Sequence, residues 1–361
     1  MINVNKKLIN IIIVFVGVFV IGCVSGLSSS SENNQESDDL LLQLNGYIIM
    51  DRPEDISAIE LPSNEQIVVR ERCKTDKSVH SLSGPDRRGR IAFIDSRLEP
   101  DIYSLKIIDM WTKKETEIFT RQGSYWPHIE ENYGDSFSYS DNGGFVAFVR
   151  NYKGVPALIP DDYVNIGHLE IVNTEKKVTV KTAIQVLDKG LNWFPDGKKL
   201  VYVALMPRDK LRPELFNKLG NDFGSDMITW HNTPVVVMLN LKDMSTKQLH
   251  IGWNPIVSKD GSSILIQDYK GRIRMYKVSS GNSIPVNIPI GEKCHIFSFI
   301  GKDIILYKTI PTTDRKYRMT STFGKTPFWT LRVAQMNTTN YKTVIQLLDR
   351  WRRVSYGEVR K

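Results

Sequence analysis

One short sequence pattern recurs along this chain and limits the folds that it can adopt. In the clearest copy, LNWFPDGKKLVYVA at 191–204, a short strand, a polar turn with glycine and a longer apolar strand follow one another. Weaker copies have the same order, and they are LSGPDRRGRIAFID at 82–95, FSYSDNGGFVAFV at 137–149, PIVSKDGSSILIQD at 255–268 and FSFIGKDIILYKT at 297–309. Asp-Gly and Asn-Gly pairs supply the positive φ angles of tight hairpin turns. Each copy therefore predicts a β-hairpin.

A third and a fourth strand are predicted after each hairpin. After the hairpin at 137–149, for example, GHLEIVNTEKKVTVKT at 167–182 contains two alternating runs separated by a polar turn. Five units of four strands can be recognised in this way. Short strands at this spacing indicate an all-β fold, and a repeated four-stranded unit is typical of the blade of a β-propeller.

The two ends of the repeat predict how the ring closes. Three short apolar runs, at Gly46–Met50, Ile56–Leu61 and Glu65–Arg70, precede the first complete unit, and one run, Arg353–Val359, follows the last. If the C-terminal run is the first strand of the first blade, the ring has no open sheet edge at its closing point. We therefore predict six four-stranded blades with the C-terminal strand completing the first blade, and seven blades as the alternative.

The turn of the clearest copy carries a family resemblance. It fits the pattern W-x-P-D-G-x-x-I/L-x-F/Y at Trp193, Pro195, Asp196, Gly197, Leu200 and Tyr202. On these residues the chain resembles the TolB-like propeller family, a group of WD40-like repeats. The same Pro-Asp pair recurs at 85–86 and the same Asp-Gly pair at 260–261. The resemblance implies the propeller fold but no particular function, because one fold supports many functions.

The first 22 residues predict an export signal. Lys6 and Lys7 precede an apolar run that ends in Val-Ile-Gly-Cys at 20–23. A basic start followed by roughly 15 apolar residues is typical of a signal peptide, because about 20 are needed to cross a bilayer comfortably. The last four residues resemble the lipobox of bacterial lipoproteins, which implies that Cys23 becomes the lipidated N-terminus. The alternative is an uncleaved anchor that continues to Leu27.

The remaining chain is predicted to divide into a tether, residues 23–45, and a propeller domain, residues 46–361. The tether contains SGLSSSSENNQESDD at 25–39, which has almost no apolar residues and cannot bury enough surface to fold. Val24 follows the cysteine, and in the lipoprotein family a residue other than Asp there is typical of the outer membrane. The expected location is the cell envelope, at the outer membrane or on the extracytoplasmic face of the cytoplasmic membrane.

The charge of the chain argues against a nucleic-acid partner. The formal net charge is +8, and the basic residues are spread along the sequence in short clusters only. Nucleic-acid-binding proteins usually concentrate basic residues on one face or one helix. We expect instead a protein or cell-envelope ligand, with the membrane reached through the lipid on Cys23. The sequence does not determine the oligomeric state.

Long insertions in the repeat mark one face of the predicted ring. In a propeller, the turns between strands one and two and between strands three and four lie on one face, here called the plain face. The links between strands two and three and between blades lie on the other, here called the insertion-bearing face. The long segments all belong to the second group, at 121–135, 151–167, 206–232 and 311–327. Because long loops on a rigid scaffold commonly bind ligands, this face is the predicted binding face.

The inserted segments contain side chains suited to recognition, since aromatic and arginine residues are the commonest binding anchors. The candidate ligand-binding residues are Tyr125, Trp126, His128, Asp162, Arg208, Arg212, Trp230, His231, Arg315 and Tyr317. The alternative is that these side chains pack the insertions onto the ring. The same two possibilities apply to the amphipathic stretch RDKLRPELFNKL at 208–219, which is either a partner-docking element or a segment packed on the ring.

Catalytic motifs do not occur in the sequence. It has no G-x-S-x-G nucleophile elbow, H-E-x-x-H zinc motif or phosphate-binding P-loop. We therefore expect a binding protein that is not an enzyme and needs neither metal nor cofactor. The alternative is a propeller enzyme, a lyase or hydrolase of envelope or environmental polymers, in which His128, His231 and a carboxylate such as Asp162 converge.

Overall fold

A computed structural model of the chain shows an all-β architecture. It describes residues 45–51, 55–71, 78–97, 102–122, 137–156, 163–187, 190–215, 217, 232–268, 271–288, 293–300, 303–310, 329–338, 341–347 and 353–359. In these parts of the chain, no helix is long and apolar enough to cross a membrane.

The described strands form six antiparallel sheets of four strands each, in the order expected for propeller blades. Blade 1 contains β1 (Gly46–Asp51), β2 (Asp55–Leu61), β3 (Gln66–Glu71) and the last strand of the chain, β24 (Arg353–Gly357). Blade 2 contains β4 (Ser78–Ser83), β5 (Arg90–Arg97), β6 (Ile102–Asp109) and β7 (Glu115–Gln122). Blade 3 contains β8 (Phe137–Tyr139), β9 (Phe145–Pro156), β10 (Tyr163–Asn173) and β11 (Val178–Leu187).

The other three blades follow in chain order. Blade 4 contains β12 (Leu191–Trp193), β13 (Lys199–Pro207), β14 (Asn232–Asn240) and β15 (Thr246–Ile251). Blade 5 contains β16 (Trp253–Val257), β17 (Ser263–Gln267), β18 (Ile273–Lys277) and β19 (Ser283–Pro285). Blade 6 contains β20 (Lys293–Phe299), β21 (Ile304–Ile310), β22 (Trp329–Gln335) and β23 (Tyr341–Leu347).

The C-terminal strand closes the ring as predicted. β24 pairs with β1 in antiparallel register from Tyr47 opposite Gly357 to Asp51 opposite Arg353, and the strand order of blade 1 is β24-β1-β2-β3. The prediction of six blades with this closure is therefore confirmed, and the alternative of seven blades is wrong.

Apolar side chains fill the junction between every pair of neighbouring blades. Along β5, Ile91 and Phe93 pack toward blade 1, whereas Ala92 and Ile94 pack toward blade 3. This alternation follows from the strand geometry, in which successive side chains point to opposite faces. The described residues form six such clusters, one for each junction. Both faces of each blade are buried, which explains why the second strands read as continuous apolar runs.

The glycines of the predicted hairpin turns have the backbone geometry that the sequence indicates. Gly89, Gly143, Gly197 and Gly261 have φ angles between 66° and 79°, a region that residues with a side chain rarely adopt. Each of the four donates its N–H to a carbonyl three residues earlier, which closes the turn on the plain face.

The hairpin of blade 2 corrects one equivalence drawn from the sequence. Asp86 N donates to Arg90 O (2.9 Å), as Phe194 N donates to Lys199 O in blade 4. Asp86 therefore occupies the position of Phe194, and its equivalence with Asp196 is wrong because the turn of blade 2 is one residue shorter. The buried Asp86 carboxylate accepts bonds from the backbone N–H (2.8 Å) and the Nε–H (2.9 Å) of Arg90.

The same turn recurs in blade 5. Asp268 N donates to Arg272 O (2.8 Å), and the Asp268 carboxylate accepts bonds from the backbone N–H (2.9 Å) and the Nε–H (2.7 Å) of Arg272. Both turns have the sequence D-x-x-G-R, at 86–90 and 268–272. The second copy closes the short link between β17 and β18.

The inserted segments are partly extensions of the blades. β9 runs to Pro156 and β10 begins at Tyr163, and the two strands stay paired from Ile166 opposite Lys153 to Tyr163 opposite Pro156. The bounds predicted for the insertion at 151–167 are therefore wrong, because hairpin pairing continues and leaves only residues 157–162 between the strands. In blade 4 the pairing likewise continues to Pro207 opposite Asn232.

Deletion of residues 353–361 should destabilise the whole ring. The deletion removes the strand paired with β1 and takes Tyr356 out of the cluster between blades 6 and 1. Because burial of one large apolar side chain contributes about 1.5–3 kcal/mol, we expect the free energy of unfolding to fall by at least about 3 kcal/mol. Urea unfolding followed by tryptophan fluorescence measures this change. A deletion of residues 360–361 alone is the control, and equal stability of the two variants would contradict the role of β24.

Candidate functional site

A narrow channel passes along the axis of the ring, and residues from the first strands of all six blades line it. Its cavity volume is about 120 Å³. Small-molecule sites usually enclose about 300–1,000 Å³. Within the described residues, the channel is therefore too small to enclose a ligand of ordinary size.

Short polar side chains form a ring around the channel. Each blade contributes one residue of its first strand to this ring. That residue lies opposite a second-strand residue whose side chain packs toward the next blade. This residue is polar in five blades and Ile256 in blade 5. The five polar residues are Ser355, Ser83, Ser138, Asn192 and Ser298, in blades 1, 2, 3, 4 and 6.

Members of this polar ring connect neighbouring blades. Three of them accept a backbone hydrogen bond from the next blade, either from its first strand or from the residue directly after it. These are the bonds from Gly84 N to Ser355 Oγ (3.2 Å), from Tyr139 N to Ser83 Oγ (3.0 Å) and from Val257 N to Asn192 Oδ1 (3.0 Å). At the junction of blades 3 and 4, the buried Trp193 donates its Nε1–H to Ser138 O (2.9 Å). The polar groups of the channel are thus used to join blades.

Side chains from the turns narrow the channel at the plain face. Lys259 Nζ of blade 5 lies 3.7 Å from Asp141 Oδ2 of blade 3 and 5.6 Å from the ring centroid of Tyr356. Arg87 of blade 2 donates from Nη2 to Pro195 O of blade 4 (3.4 Å). These contacts join blades that are not neighbours in the ring, so they cross the mouth of the channel.

Two tyrosines near this mouth have strongly raised pKa values. Burial raises the pKa of Tyr356, and the Glu358 carboxylate raises it further. Burial also raises the pKa of Tyr139, with the Asp86 carboxylate adding to the effect. The Tyr356 hydroxyl donates to Asn45 O (3.2 Å) and the Tyr139 hydroxyl to Asp86 Oδ2 (3.2 Å). Both hydroxyls are neutral donors at physiological pH, so neither is an activated base or nucleophile.

The structure places two of the predicted ligand-binding residues, and both lie on the insertion-bearing face after β13. Arg208 begins a short 3-10 turn, Arg208–Lys210, and its side chain is half-buried. Arg212 is also half-buried, and its backbone N–H donates to Gln248 Oε1 of β15 (3.0 Å). The other candidates lie outside the described residues, as does the lipidation candidate Cys23. They are Tyr125, Trp126, His128, Asp162, Trp230, His231, Arg315 and Tyr317.

The segment around Arg208 and Arg212 packs on the ring. Leu211 and Leu215 are buried in the cluster between blades 3 and 4. Gln248 fixes the backbone of the segment, because its Nε2 donates to Lys210 O (2.8 Å) as well. For these two leucines, the prediction of packing on the ring is confirmed.

The residues needed for the enzymatic alternative, His128, His231 and Asp162, also lie outside the described residues, so their convergence stays a prediction. Among the described side chains, no group of three or more His, Cys, Asp or Glu residues could hold a metal ion.

Two clusters of charged side chains, which the sequence did not reveal, lie between blades. The first, here called the Arg70 cluster, joins blades 1 and 2. Arg70 contacts Asp95 (3.2 Å) and Glu115 (2.7 Å), and Lys106 contacts the same two carboxylates (2.8 and 3.7 Å). Two cations therefore face two anions.

The second cluster, here called the Arg121 cluster, joins blades 2 and 3. It consists of Arg121, Arg150 and Glu170. Arg121 Nη1 lies 2.6 Å from Glu170 Oε2, and Arg150 Nη1 lies 3.5 Å from Glu170 Oε1. Two cations share one carboxylate in this cluster. Its three members come from different strands of two blades, which is why no local sequence pattern indicates it.

Comparison with known proteins gives the fold. No family model and no curated protein matches the sequence. Among solved structures, TolB from Acinetobacter baumannii is similar with a TM-score of 0.52 and 12% identity, over 87% of this chain and 66% of that chain. An oligogalacturonate lyase in complex with manganese has a TM-score of 0.46 at 12% identity, over 84% of this chain and 75% of that one. A prolyl endopeptidase structure has a TM-score of 0.41 at 13% identity, over 72% and 42%.

The likeness to TolB shows the fold alone at this level of identity. The chain spans just under two thirds of the TolB chain, at 66% of its length.

Replacement of Asn192 by Ala should weaken the junction between blades 4 and 5. The change removes the acceptor of Val257 N. Loss of the partner of a buried donor costs about 1–3 kcal/mol, so the free energy of unfolding measured by urea denaturation should fall by about this amount. Ser298→Ala is the matched control, because Ser298 Oγ donates within its own strand, to Phe299 O (2.9 Å), and should cost less than about 1 kcal/mol. Equal losses of stability for the two variants would mean that the hydrogen bond between Asn192 and Val257 contributes no more to stability than a bond within one strand.

Proposed function

We propose that this protein is a lipid-anchored, extracytoplasmic binding protein that holds a protein or cell-envelope ligand on its insertion-bearing face. The observation that carries the proposal is the strand topology. The order of strands puts the ends of the inserted segments, after β7, β9, β13 and β21, at one face of the ring. Segments distant in the chain thereby leave the ring from the same face of one rigid scaffold, which is the usual arrangement of a binding surface.

The lengths of the strands support this assignment. In blade 3, β9 and β10 have 12 and 11 residues, and in blade 4, β13 and β14 have 9 each. The corresponding strands of blade 5, β17 and β18, have only 5 each. The hairpins of blades 3 and 4 therefore extend beyond the blade on the insertion-bearing face and enlarge its surface.

The other surfaces of the ring are less suited to a ligand. The channel encloses about 120 Å³, and its polar groups bond to neighbouring blades. The plain face consists of short turns that hydrogen-bond to themselves. The similarity to TolB supports the propeller fold, and the export and anchoring part of the proposal comes from the lipobox-like sequence ending at Cys23.

A deletion within the blade 4 insertion should abolish capture of the ligand and leave the ring folded. Residues 218–230 are replaced by a Gly-Ser-Gly-Ser linker, which preserves Leu211 and Leu215 in their cluster. We expect crosslinked partners to disappear when the variant is crosslinked in intact cell envelopes. The thermal unfolding midpoint should stay within a few degrees of wild type.

The control for this deletion is a variant of the same blade on its plain-face side, Lys242→Ala with Lys247→Ala, both exposed. The control should retain the partners. Full capture by the deletion variant would show that the blade 4 insertion is not part of the binding surface.

Replacement of Cys23 by Ala should release the protein from the membrane. If Cys23 carries the lipid, the variant should lose incorporation of a labelled fatty acid and leave the membrane fraction. Cys73→Ala is the matched control and should remain lipidated. A Cys23→Ala protein that stays in the membrane fraction would support the uncleaved anchor instead.

A further inference from the structure

The Arg121 cluster carries a positive charge that its own carboxylate does not balance. Glu170 offers one negative charge to Arg121 and Arg150. In the part of the chain that the structure describes, the Arg70 cluster at the preceding junction has two cations and two carboxylates. Among the described residues, no carboxylate other than Glu170 contacts either guanidinium of the Arg121 cluster. Counted over their described members, the two clusters thus differ by one charge.

The guanidinium of Arg121 is held firmly in place. Its Nη1 lies 2.6 Å from Glu170 Oε2 and its Nη2 donates to Thr179 Oγ1 (2.9 Å). The group also lies over the ring of Phe119, at 4.2 Å from the centroid. Burial alone would lower the pKa of Arg121, but its bonds to Glu170 and Tyr103 raise the pKa overall. Arg121 therefore stays charged and ordered.

Arg150 is fixed in the same way but has hydrogen-bonding capacity left. Its Nη1 lies 3.5 Å from Glu170 Oε1, and the guanidinium lies over the ring of Tyr103 at 5.0 Å. A guanidinium has five N–H donors, and this contact uses one of them. Because its position is already restricted, little conformational entropy would be lost when a ligand binds.

Solvent reaches the two cations more than the carboxylate. The side chains of Arg121 and Arg150 are 21% and 16% exposed, whereas that of Glu170 is 5% exposed. The anion is thus on the inside and the two cations are toward the surface. A ligand approaching between blades 2 and 3 meets the cations first.

Two further basic side chains flank the cluster. His168 is the cross-strand neighbour of Arg150, and Lys181 is the cross-strand neighbour of Glu170. Residues directly opposite each other on paired strands share one face of the sheet. Both flanking side chains are exposed. The junction therefore carries four basic side chains near the insertion-bearing face, where β7 ends.

We propose that the Arg121 cluster is a binding site for an anionic group, a carboxylate or a phosphate, of a ligand that enters between blades 2 and 3. The planar donor fork of arginine matches both oxyanions, and two guanidinium groups held by one buried carboxylate form a preorganised clamp for them. This site adjoins the proposed surface of inserted segments, but the proposal rests on the contacts of the cluster itself and not on ligand capture by those segments.

The test is a titration of the purified full chain in detergent with inorganic phosphate and, separately, with acetate, by calorimetry at low ionic strength. Wild type should bind at least one of the two saturably. Arg150→Gln should weaken that binding about tenfold, which corresponds to about 1.4 kcal/mol. Arg150 is the residue to change because Glu170 keeps its closer contact with Arg121, so the fold should be preserved.

Two control variants separate a specific site from general charge. Arg70→Gln removes one cation from the Arg70 cluster, and Lys242→Gln removes one from an exposed turn. Both should bind as wild type does, and the Lys242 variant keeps the test valid if the Arg70 variant does not fold. Arg150→Lys should recover only part of the affinity, because lysine lacks the planar fork.

Binding of phosphate alone, of acetate alone or of both would support the site and identify the oxyanion. Absence of saturable binding would overturn the proposal, as would equal weakening in Arg150→Gln and Lys242→Gln. Because the titration contains no partner, its failure is distinguishable from failure of the ligand-capture experiment.

Discussion

Face-to-face packing of neighbouring blades is the interaction on which the rest of this structure depends. A single four-stranded blade has two apolar faces, and burial of both requires a neighbour on each side. Only a closed ring meets that requirement for every blade. Closure in turn requires that the two ends of the chain meet in one sheet, which β24 and β1 achieve. The six apolar clusters of the described residues therefore require the pairing of β24 with β1, because that pairing closes the ring.

Polar contacts have a different role, which is to fix how the blades sit against each other. Apolar burial is non-directional, so it does not by itself set the angle or register between two packed sheets. Hydrogen bonds across the junctions do so near the axis, as with Asn192 and Val257. Charged contacts do so further out, as with Arg70 and Asp95. The junctions of blades 1 with 2 and of blades 2 with 3 have both kinds of contact, with the apolar cluster between them.

The sequence predicted the fold well because the signals of a blade are local. Hairpin turns with glycine and apolar strands occur within about 15 residues of each other, and these gave the blade count and the closure. The backbone geometry of the turns between strands three and four could not be predicted, because the residue with the left-handed conformation is glycine in only one of these turns. Their residues with φ between 54° and 73° are Asn64, Lys113, Lys177, Met244, Gly281 and Asn337.

The candidate site was less predictable for a physical reason. Composition and loop length indicate which segments are inserted, but not how far the pairing of the flanking strands continues into them. In blade 3, β9 and β10 stay paired as far as Pro156 and Tyr163. Contacts between blades depend on residues far apart in the chain, so the Arg121 cluster has no local signature. Of the predicted ligand-binding residues, Arg208 and Arg212 are placed on the insertion-bearing face, next to leucines that pack on the ring.

The pairing of β24 with β1 also sets an order in time. Asp51 pairs with Arg353, which is synthesised about 300 residues later in the chain. At roughly 5–20 residues per second, this pairing can form only about 15–60 s after Asp51 has been made. During that interval the first blade lacks its innermost strand and the ring cannot lock. If the chain is exported as proposed, this late closure is an advantage, because the chain remains extensible until its last residues have passed through the membrane pore.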